Sequence, residues 1–425
     1  MPKSLRINDY LARAIVVTAL LNLNGFAYML LGVSQIFSIL MLFCGLSIFI
    51  LCRSFLVTAE VVVYFILMFG YALFGILFIP VFNDSQASLW EVQSLAATVM
   101  LTIAVVIHIQ KLDNRNKRFS FYSFVRNVAV FAVTANLFSP LLYSIYANPP
   151  PSFEYRSAGL FANPNDAAYI GLFAAALTLL YPFQNRLFQV VILGLVSAGT
   201  MVTFSRGAII ILLLMLLLSL WDATRRVRLL VGPVMAIGLG LLVFNTHGIV
   251  DWISTQTLFD LGAQQQARLT SIALVLDGQI DTETSGARNE LFSLAFNKAM
   301  SVFPLGTGLN TFKSIEGGIS VIPGEWLGAH NSFLLVWGEA GVLMLLVMLA
   351  LWAVVLLKSF RAGMGVQGLY LPLACIGCAM FSHELFSLRF MNVAVAFMLM
   401  QAITYRKILP HAGPHRNFRK LNWAR

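Results

Sequence analysis

The chain has 425 residues and a formal net charge of +10, with 59% hydrophobic and 11% charged residues. A soluble domain carries about a quarter charged residues, so this composition excludes a soluble globular protein. The positive charge requires no nucleic-acid partner, because basic residues beside membrane spans face anionic lipid headgroups.

Apolar runs long enough to cross the hydrocarbon core as helices recur along the whole chain. They predict an all-α integral membrane protein with about twelve transmembrane helices, at residues 11–31, 35–52, 56–79, 92–109, 124–147, 166–183, 188–204, 207–221, 229–245, 332–357, 369–387 and 390–406. The first run follows Lys3 and Arg6, is too long for a signal-peptide core and has no small-residue cleavage site. We therefore expect it to remain as the first helix.

These spans divide the chain into four regions. Helices 1–9 occupy residues 1–245, helices 10–12 occupy 330–408, and a basic tail covers 409–425. Between the two helical regions lies one long insertion, residues 246–329. Within it, residues 286–300 have the apolar spacing of an amphipathic helix, which would lie on the membrane surface or against the bundle and end before Pro304.

The basic residues predict the orientation of the chain. All but seven of the 28 lysines and arginines fall on the side of the N-terminus, which indicates that both termini are cytoplasmic. The seven exceptions are Arg156, Arg206, Arg268, Arg288, Lys298, Lys313 and Arg389. Most acidic residues lie on the same outer side as these seven, so we expect the working face to be the outer one.

No metal site is predicted. Cys375 and Cys378 form a C-x-x-C, but without a second pair they are interpreted as two small apolar helix residues. Asp281 and Glu283 are interpreted as part of a solvated loop.

Two outer segments between helices contain candidate binding residues. In residues 156–166, Pro164 favours an extended Asn163, and Asn165 or Asp166 is predicted to cap the next helix. This segment, which begins with Arg156, is equally consistent with a simple loop and cap. Residues 203–208 form a tight turn that holds Arg206 at the membrane boundary. An arginine there is costly unless paired, so it is a functional candidate, with a lipid-headgroup contact as the alternative.

Two further arginines lie on the outer face. Arg288 falls in the first turn of the amphipathic helix, from which its side chain would reach the level of a lipid phosphate. Arg389 lies between the last two spans, where an ordinary headgroup contact is favoured over a functional role.

His330 is the candidate catalytic residue. It precedes Asn331 and Ser332, both possible caps, at the start of an apolar helix. The partial positive charge of a helix N-terminus disfavours imidazolium, which leaves the ring neutral and able to accept a proton. A lone histidine is more often structural, but the outer-face arginines favour a functional one. Glu339, nine residues on, is expected to face the bundle as a structural or pathway residue.

Five motifs on the outer face occur in a characteristic order. They are R-x-x-G-x-F-x-N-P-N-D from Arg156, S-R-G-A from Ser205, G-x-R-N-E-x-F-x-x-A from Gly286, P-L-G-x-G-L-N-T-F from Pro304, and A-H-N-S-F-L-x-x-W-G-E-x-G from Ala329. In this order they resemble the O-antigen ligase and polymerase superfamily of bacterial envelopes. The long loop between the ninth and tenth spans, the length and the absence of a large terminal domain look most like lipopolysaccharide O-antigen ligase.

The resemblance implies a function and a set of roles. It implies a GT-C-like glycosyltransferase in the Gram-negative inner membrane that acts at the periplasmic face without metal, nucleotide or other cofactor. The donor would be a polysaccharide on undecaprenyl pyrophosphate, and the acceptor lipid A–core oligosaccharide. His330 would be the base, and the substrate would be bound by Arg206, Arg288, Arg156, Asn165, Asn331, Glu339 and Arg389. Metal-dependent relatives would carry an acidic pair in the first outer loop, whereas residues 32–35 contain no carboxylate.

Two alternatives remain open. An O-antigen or exopolysaccharide polymerase would use the same lipid-linked donor with a growing chain as acceptor. A polytopic transporter or lipid flippase would be expected to have ionisable residues near the middle of its spans and two related halves. Most charges in this chain lie instead at the ends of the predicted spans.

Overall fold

The computed structural model describes residues 3–32, 36–52, 56–82, 86–112, 114–148, 157–221, 286–312, 330–382 and 385–408. Regular structure in these ranges is entirely helical, which confirms the predicted all-α class. The α-helices are α1 Lys3–Leu20, α2 Leu23–Leu31, α3 Ile36–Leu51, α4 Ala59–Phe82, α5 Gln86–Lys111, α6 Arg115–Thr134, α7 Ser139–Tyr143, α8 Pro164–Leu180, α9 Arg186–Met201, α10 Arg206–Trp221, α11 Gly286–Ser301, α12 Ser332–Ala340, α13 Val342–Arg361, α14 Tyr370–Phe381 and α15 Arg389–Ile408. Short 3₁₀ helices cover Ala135–Phe138 and Gly365–Leu369.

The helices are those of a multi-pass membrane protein. Among the described helices, four are long and apolar enough to span a membrane, and a fifth span results if one bent pair counts as a unit. The four are Ala59–Phe78, Val92–Lys111, Arg115–Tyr143 and Val342–Arg361. Shorter apolar helices coincide with further predicted spans. The predicted ninth span, 229–245, and residues 246–285 of the insertion lie outside the described residues.

Two predicted spans are interrupted. The first consists of α1 and α2, bent by 55° at a break that includes Asn22 in the left-handed region (φ 46°). The prediction of one continuous helix over 332–357 is wrong, because α12 ends at Ala340 and α13 begins after Gly341, whose φ is +88°. At this break the Val342 N–H donates to the Pro304 carbonyl (3.1 Å) rather than to its own helix. The loop that follows α11 therefore interrupts the span.

Apolar side chains occupy both the interior of the bundle and its outer surface. In the interior, α8 and α15 are buried along most of their length, and the rings of Phe173 and Phe397 meet edge to face at 5.9 Å. On the outside, large apolar residues such as Phe69 and Leu187 are more than two-thirds exposed. Such an exposed apolar surface is expected where the neighbouring medium is lipid.

Different helix termini lie at the two ends of the bundle. Because α8, α9 and α10 are joined by short turns, α8 and α10 begin at the same end. At that end α14 also terminates, because Phe381 packs against Gly207. The helix α12 begins there too, because the Ser332 hydroxyl donates to the Ser382 carbonyl (2.6 Å). We call it the site end. The opposite end, where α6 and α9 begin and α13 terminates, carries the basic residues Arg115, Arg186, Lys358 and Arg361, and we call it the basic end.

Candidate functional site

The last turn of α14 joins two segments that are far apart in the chain. On one side, the Asn331 amide donates to the Met380 carbonyl (3.4 Å), directly after His330. On the other side, Gly207 packs so closely that a Cβ there would lie 2.4 Å from the Phe381 ring. Arg206 and His330 are therefore held beside the same helix end.

Helix N-termini give the site end an electrostatic preference for anions. Asn163 caps α8 by accepting from the Asn165 N–H (2.9 Å), and Asn331 caps α12 by accepting from the N–H groups of Phe333 (2.9 Å) and Leu334 (3.0 Å). The helix α10 begins beside them. Each N-terminus carries a partial positive charge and N–H groups suited to phosphate oxygens.

The prediction that Asn165 or Asp166 caps α8 is wrong. Pro164 occupies the first helical position, where its missing N–H costs no hydrogen bond, and this makes Asn163 the cap. Asn163 is extended, as predicted for a residue before proline (φ −122°, ψ 125°). Asn165 and Asp166 lie instead in the first turn of α8, at the site end.

His330 lies immediately before the cap of α12, where the sequence predicts it. Its φ of 45° is left-handed, a conformation in which histidine is several-fold enriched over most non-glycine residues. The residue is half-buried. It is held at the entrance of the helix rather than within it, beside the positive end of the α12 dipole.

A short, ordered turn sets the position of Arg206. The turn between α9 and α10 places Phe204 in the left-handed region (φ 52°). The Thr203 hydroxyl donates to the Thr200 carbonyl (2.7 Å) and accepts from the Ser205 N–H (3.3 Å), which closes the turn. This confirms the predicted tight turn, and Arg206 is the half-buried first residue of α10.

A helix, α11, is present where the sequence predicts an amphipathic one, and it packs against the bundle. Ala295 and Ala299 share an apolar cluster with residues of α12, and the Phe296 ring meets Trp337 edge to face at 5.5 Å. Phe296 lies beside Trp337, and Pro304, further along the chain, contacts Val342 just beyond the end of α12. The helix α11 therefore runs parallel to α12. The first turn of α11, which contains Arg288, thus lies toward the start of α12.

Glu339 is fully buried, in agreement with the prediction that it faces the bundle. Its Oε2 accepts from the Tyr71 hydroxyl on α4, and its Oε1 accepts from the Phe312 N–H (3.2 Å). The loop 304–312 is also tied to α4, because the Leu309 N–H donates to the Gly75 carbonyl (3.1 Å). Glu339 thereby joins α12 to α4 and to the loop.

Arg389 also lies at the site end, because α15 begins shortly after α14 terminates. It is the half-buried first residue of α15. The neighbouring Phe390 packs edge to face on Phe161, in the loop that leads into α8, at 5.5 Å. Within the described ranges, the Arg389 Nη1 is buried and has no hydrogen-bond partner. Arg156 lies outside the described residues.

Several residues of this arrangement were not predicted from the sequence. Tyr71 and Ser382 contact the site through partners far away in the chain, and no local pattern marks either of them. Asn163 had a signal, since an asparagine before a proline at a helix start is a frequent cap. In the part of the chain that the structure describes, histidines, cysteines and carboxylates form no group of three or more that could hold a metal.

Comparison with known families identifies the domain that contains most of this arrangement. Residues 189–349 match the family model described as O-Antigen ligase, which confirms the resemblance over that range. This domain includes Arg206, Arg288 and His330. Members of the family are O-antigen ligases and polymerases, enzymes that transfer glycans from lipid-linked O-antigen substrates. None of the curated proteins compared with the chain matches it.

Proposed function

We propose that this chain, with its O-antigen ligase family domain, is a metal-independent, inverting O-antigen ligase. It moves O-antigen polysaccharide from undecaprenyl pyrophosphate to lipid A–core. The observation that carries the proposal is that Gly207, beside Arg206, and Asn331, beside His330, both contact the last turn of α14. A cation and a potential base thus lie together where several helices present their N-termini.

The arginines and helix N-termini suit the pyrophosphate of the donor. As the bond between the anomeric carbon and the pyrophosphate oxygen breaks, negative charge builds up on the leaving group. Arg206 and Arg288 bind phosphate oxygens through paired N–H donors and stabilise that charge. The start of α10 adds its own partial positive charge.

His330 acts as the general base in the same displacement. The acceptor hydroxyl of lipid A–core attacks the anomeric carbon while the imidazole takes its proton, so a glycosidic bond forms as the bond to pyrophosphate breaks. A single displacement of this kind inverts the anomeric configuration. The position before the N-terminus of α12 favours the neutral ring, which is the form able to accept a proton.

The remaining predicted residues have two kinds of role. Arg156, Asn165 and Arg389 bind the donor or acceptor around the arginine pair. Asn331 and Glu339 act as positioning residues, because their polar atoms are engaged by the backbone and by Tyr71. Asn331 fixes the start of α12, and Glu339 fixes its end.

The proposed topology has twelve spans in a GT-C-like arrangement in a Gram-negative inner membrane. Both termini are cytoplasmic, and the site end and the insertion 246–329 face the periplasm. The distribution of basic residues supports this orientation, because the basic end collects positive charges from several helices.

A reconstituted transfer assay tests the proposal. Purified protein is mixed with undecaprenyl-pyrophosphate-linked O-antigen and lipid A–core, with and without a chelator. We expect transfer to lipid A–core that the chelator leaves unchanged. Joining of one donor glycan to another, with none delivered to lipid A–core, would identify a polymerase instead.

A further inference from the structure

A pocket lies at the basic end, at the end of the bundle opposite the candidate site. It has a volume of about 220 Å³ and is lined by Glu60, Lys358, Arg361, Ala402 and Ile403. These residues bring together the start of α4 with the last turns of α13 and α15. Nothing in the proposed transfer reaction uses them.

A buried carboxylate in this pocket is only half satisfied. Glu60 is 1% exposed, and its Oε2 accepts from the Lys358 ammonium at 2.7 Å. Its Oε1 has no hydrogen-bond partner among the described residues. A carboxylate removed from water is stabilised only when its remaining lone pairs are also satisfied. A ligand that supplies a donor to Oε1 would complete the pair.

The other polar groups of the pocket select for an anion. One carboxylate and two cations give the lining a net charge of +1. The Lys358 side chain is 35% exposed and Arg361 is exposed at the end of α13. Long basic side chains at a span end extend to the headgroup level, where phosphates lie.

We infer that this pocket binds the headgroup of a singly anionic, hydroxyl-bearing phospholipid, of the phosphatidylglycerol class, in the cytoplasmic leaflet. Arg361 and Lys358 contact the phosphodiester, and a headgroup hydroxyl donates to Glu60. Phosphatidylethanolamine also carries a donor for Glu60, but its ammonium would approach Lys358. Its zwitterion also leaves the net charge of the pocket uncompensated.

Lipid titration of the full-length protein in detergent, followed by native mass spectrometry, tests this inference. We expect phosphatidylglycerol to bind more tightly than phosphatidylethanolamine, phosphatidylcholine or phosphatidic acid, which lacks the headgroup hydroxyl. Arg361→Gln should weaken phosphatidylglycerol binding about tenfold or more, the size expected for a lost charge-assisted hydrogen bond. Arg361 is exposed, so this variant leaves the buried Glu60–Lys358 pair intact.

Arg186→Gln is the matched control, since it removes an exposed cation at the same end but outside the pocket. It should leave the affinity unchanged. Equal weakening by both variants, or equal binding of phosphatidylethanolamine and phosphatidylglycerol, would overturn the inference. Displacement of the lipid by excess inorganic phosphate would also overturn it, because a soluble phosphate would then be the ligand.

Discussion

The hydroxyl of Tyr71, on α4, donates a hydrogen bond to the buried carboxylate of Glu339, at the end of α12. Hydrogen bonds to charged groups contribute about 1.5–3 kcal/mol, so Tyr71→Phe should lower the free energy of unfolding by roughly that amount. Glu339→Gln should have a similar effect. The double variant should be less destabilised than the sum of the two, because both changes remove the same bond.

Thermal unfolding of the purified variants in detergent measures these effects. Tyr28→Phe is the control, because Tyr28 is an exposed tyrosine on α2. Fully additive effects of Tyr71→Phe and Glu339→Gln would contradict a shared positioning role.

The contact between Gly207 and Phe381 predicts a steric effect on transfer. In Gly207→Ala the new Cβ would lie 2.4 Å from the Phe381 ring, which forces α10 away from α14 and moves Arg206. We expect a lower transfer rate and a lower midpoint of thermal unfolding. Gly194→Ala is the matched control, since a Cβ at Gly194, within α9, meets no atom within 4 Å. Normal transfer by Gly207→Ala would show that this packing does not position the arginine.

Lysine variants test whether Arg206 and Arg288 need the planar guanidinium group in addition to their positive charge. Lysine retains the positive charge but lacks the planar fork of donors, so Arg206→Lys and Arg288→Lys should each impair transfer. Arg186→Lys, at the basic end, should have no effect. Transfer rates near wild type in both site variants would reduce these residues to lipid-headgroup contacts.

The proposed orientation predicts the location of inserted tags. Tags after Arg118 and after Arg228 should report the cytoplasm, and a tag near Gln265 should report the periplasm. Accessibility to a membrane-impermeant reagent in intact cells provides the measurement. A cytoplasmic signal at Gln265 would place the insertion and the candidate site on the cytoplasmic face, which contradicts the proposed orientation.

Local features of this chain were predictable from its sequence, whereas contacts between distant segments were not. Apolar runs marked most of the helices, and the turn at Arg206 and the helix start after His330 were correct because each depends on neighbouring residues. The break at Gly341 was missed, since it results from the loop around Pro304 that inserts its backbone into the span. Glycine tolerates the positive φ that the break requires. A glycine at position 341, however, does not by itself indicate that a distant loop will pack there.

The partners of the candidate site were hidden for the same reason. The last turn of α14 joins Gly207 to the start of α12, yet residues 380–382 match no motif. Hydrophobic periodicity predicts which face of a helix is buried but not which helix covers that face. The sequence therefore proposes residues for the chemistry, but it does not indicate which residues hold them in place.

The most direct test of the account is the transfer rate of His330→Asn. Asparagine tolerates the left-handed backbone of His330 (φ 45°) and keeps a polar side chain, but it cannot serve as a base. A general base typically contributes 10²–10⁴-fold to the rate, so this variant should lose about that factor, as should His330→Gln. Protein level, thermal stability and binding of the lipid-linked donor should remain unchanged. Transfer by His330→Asn at the wild-type rate would contradict the assignment of His330 as the base.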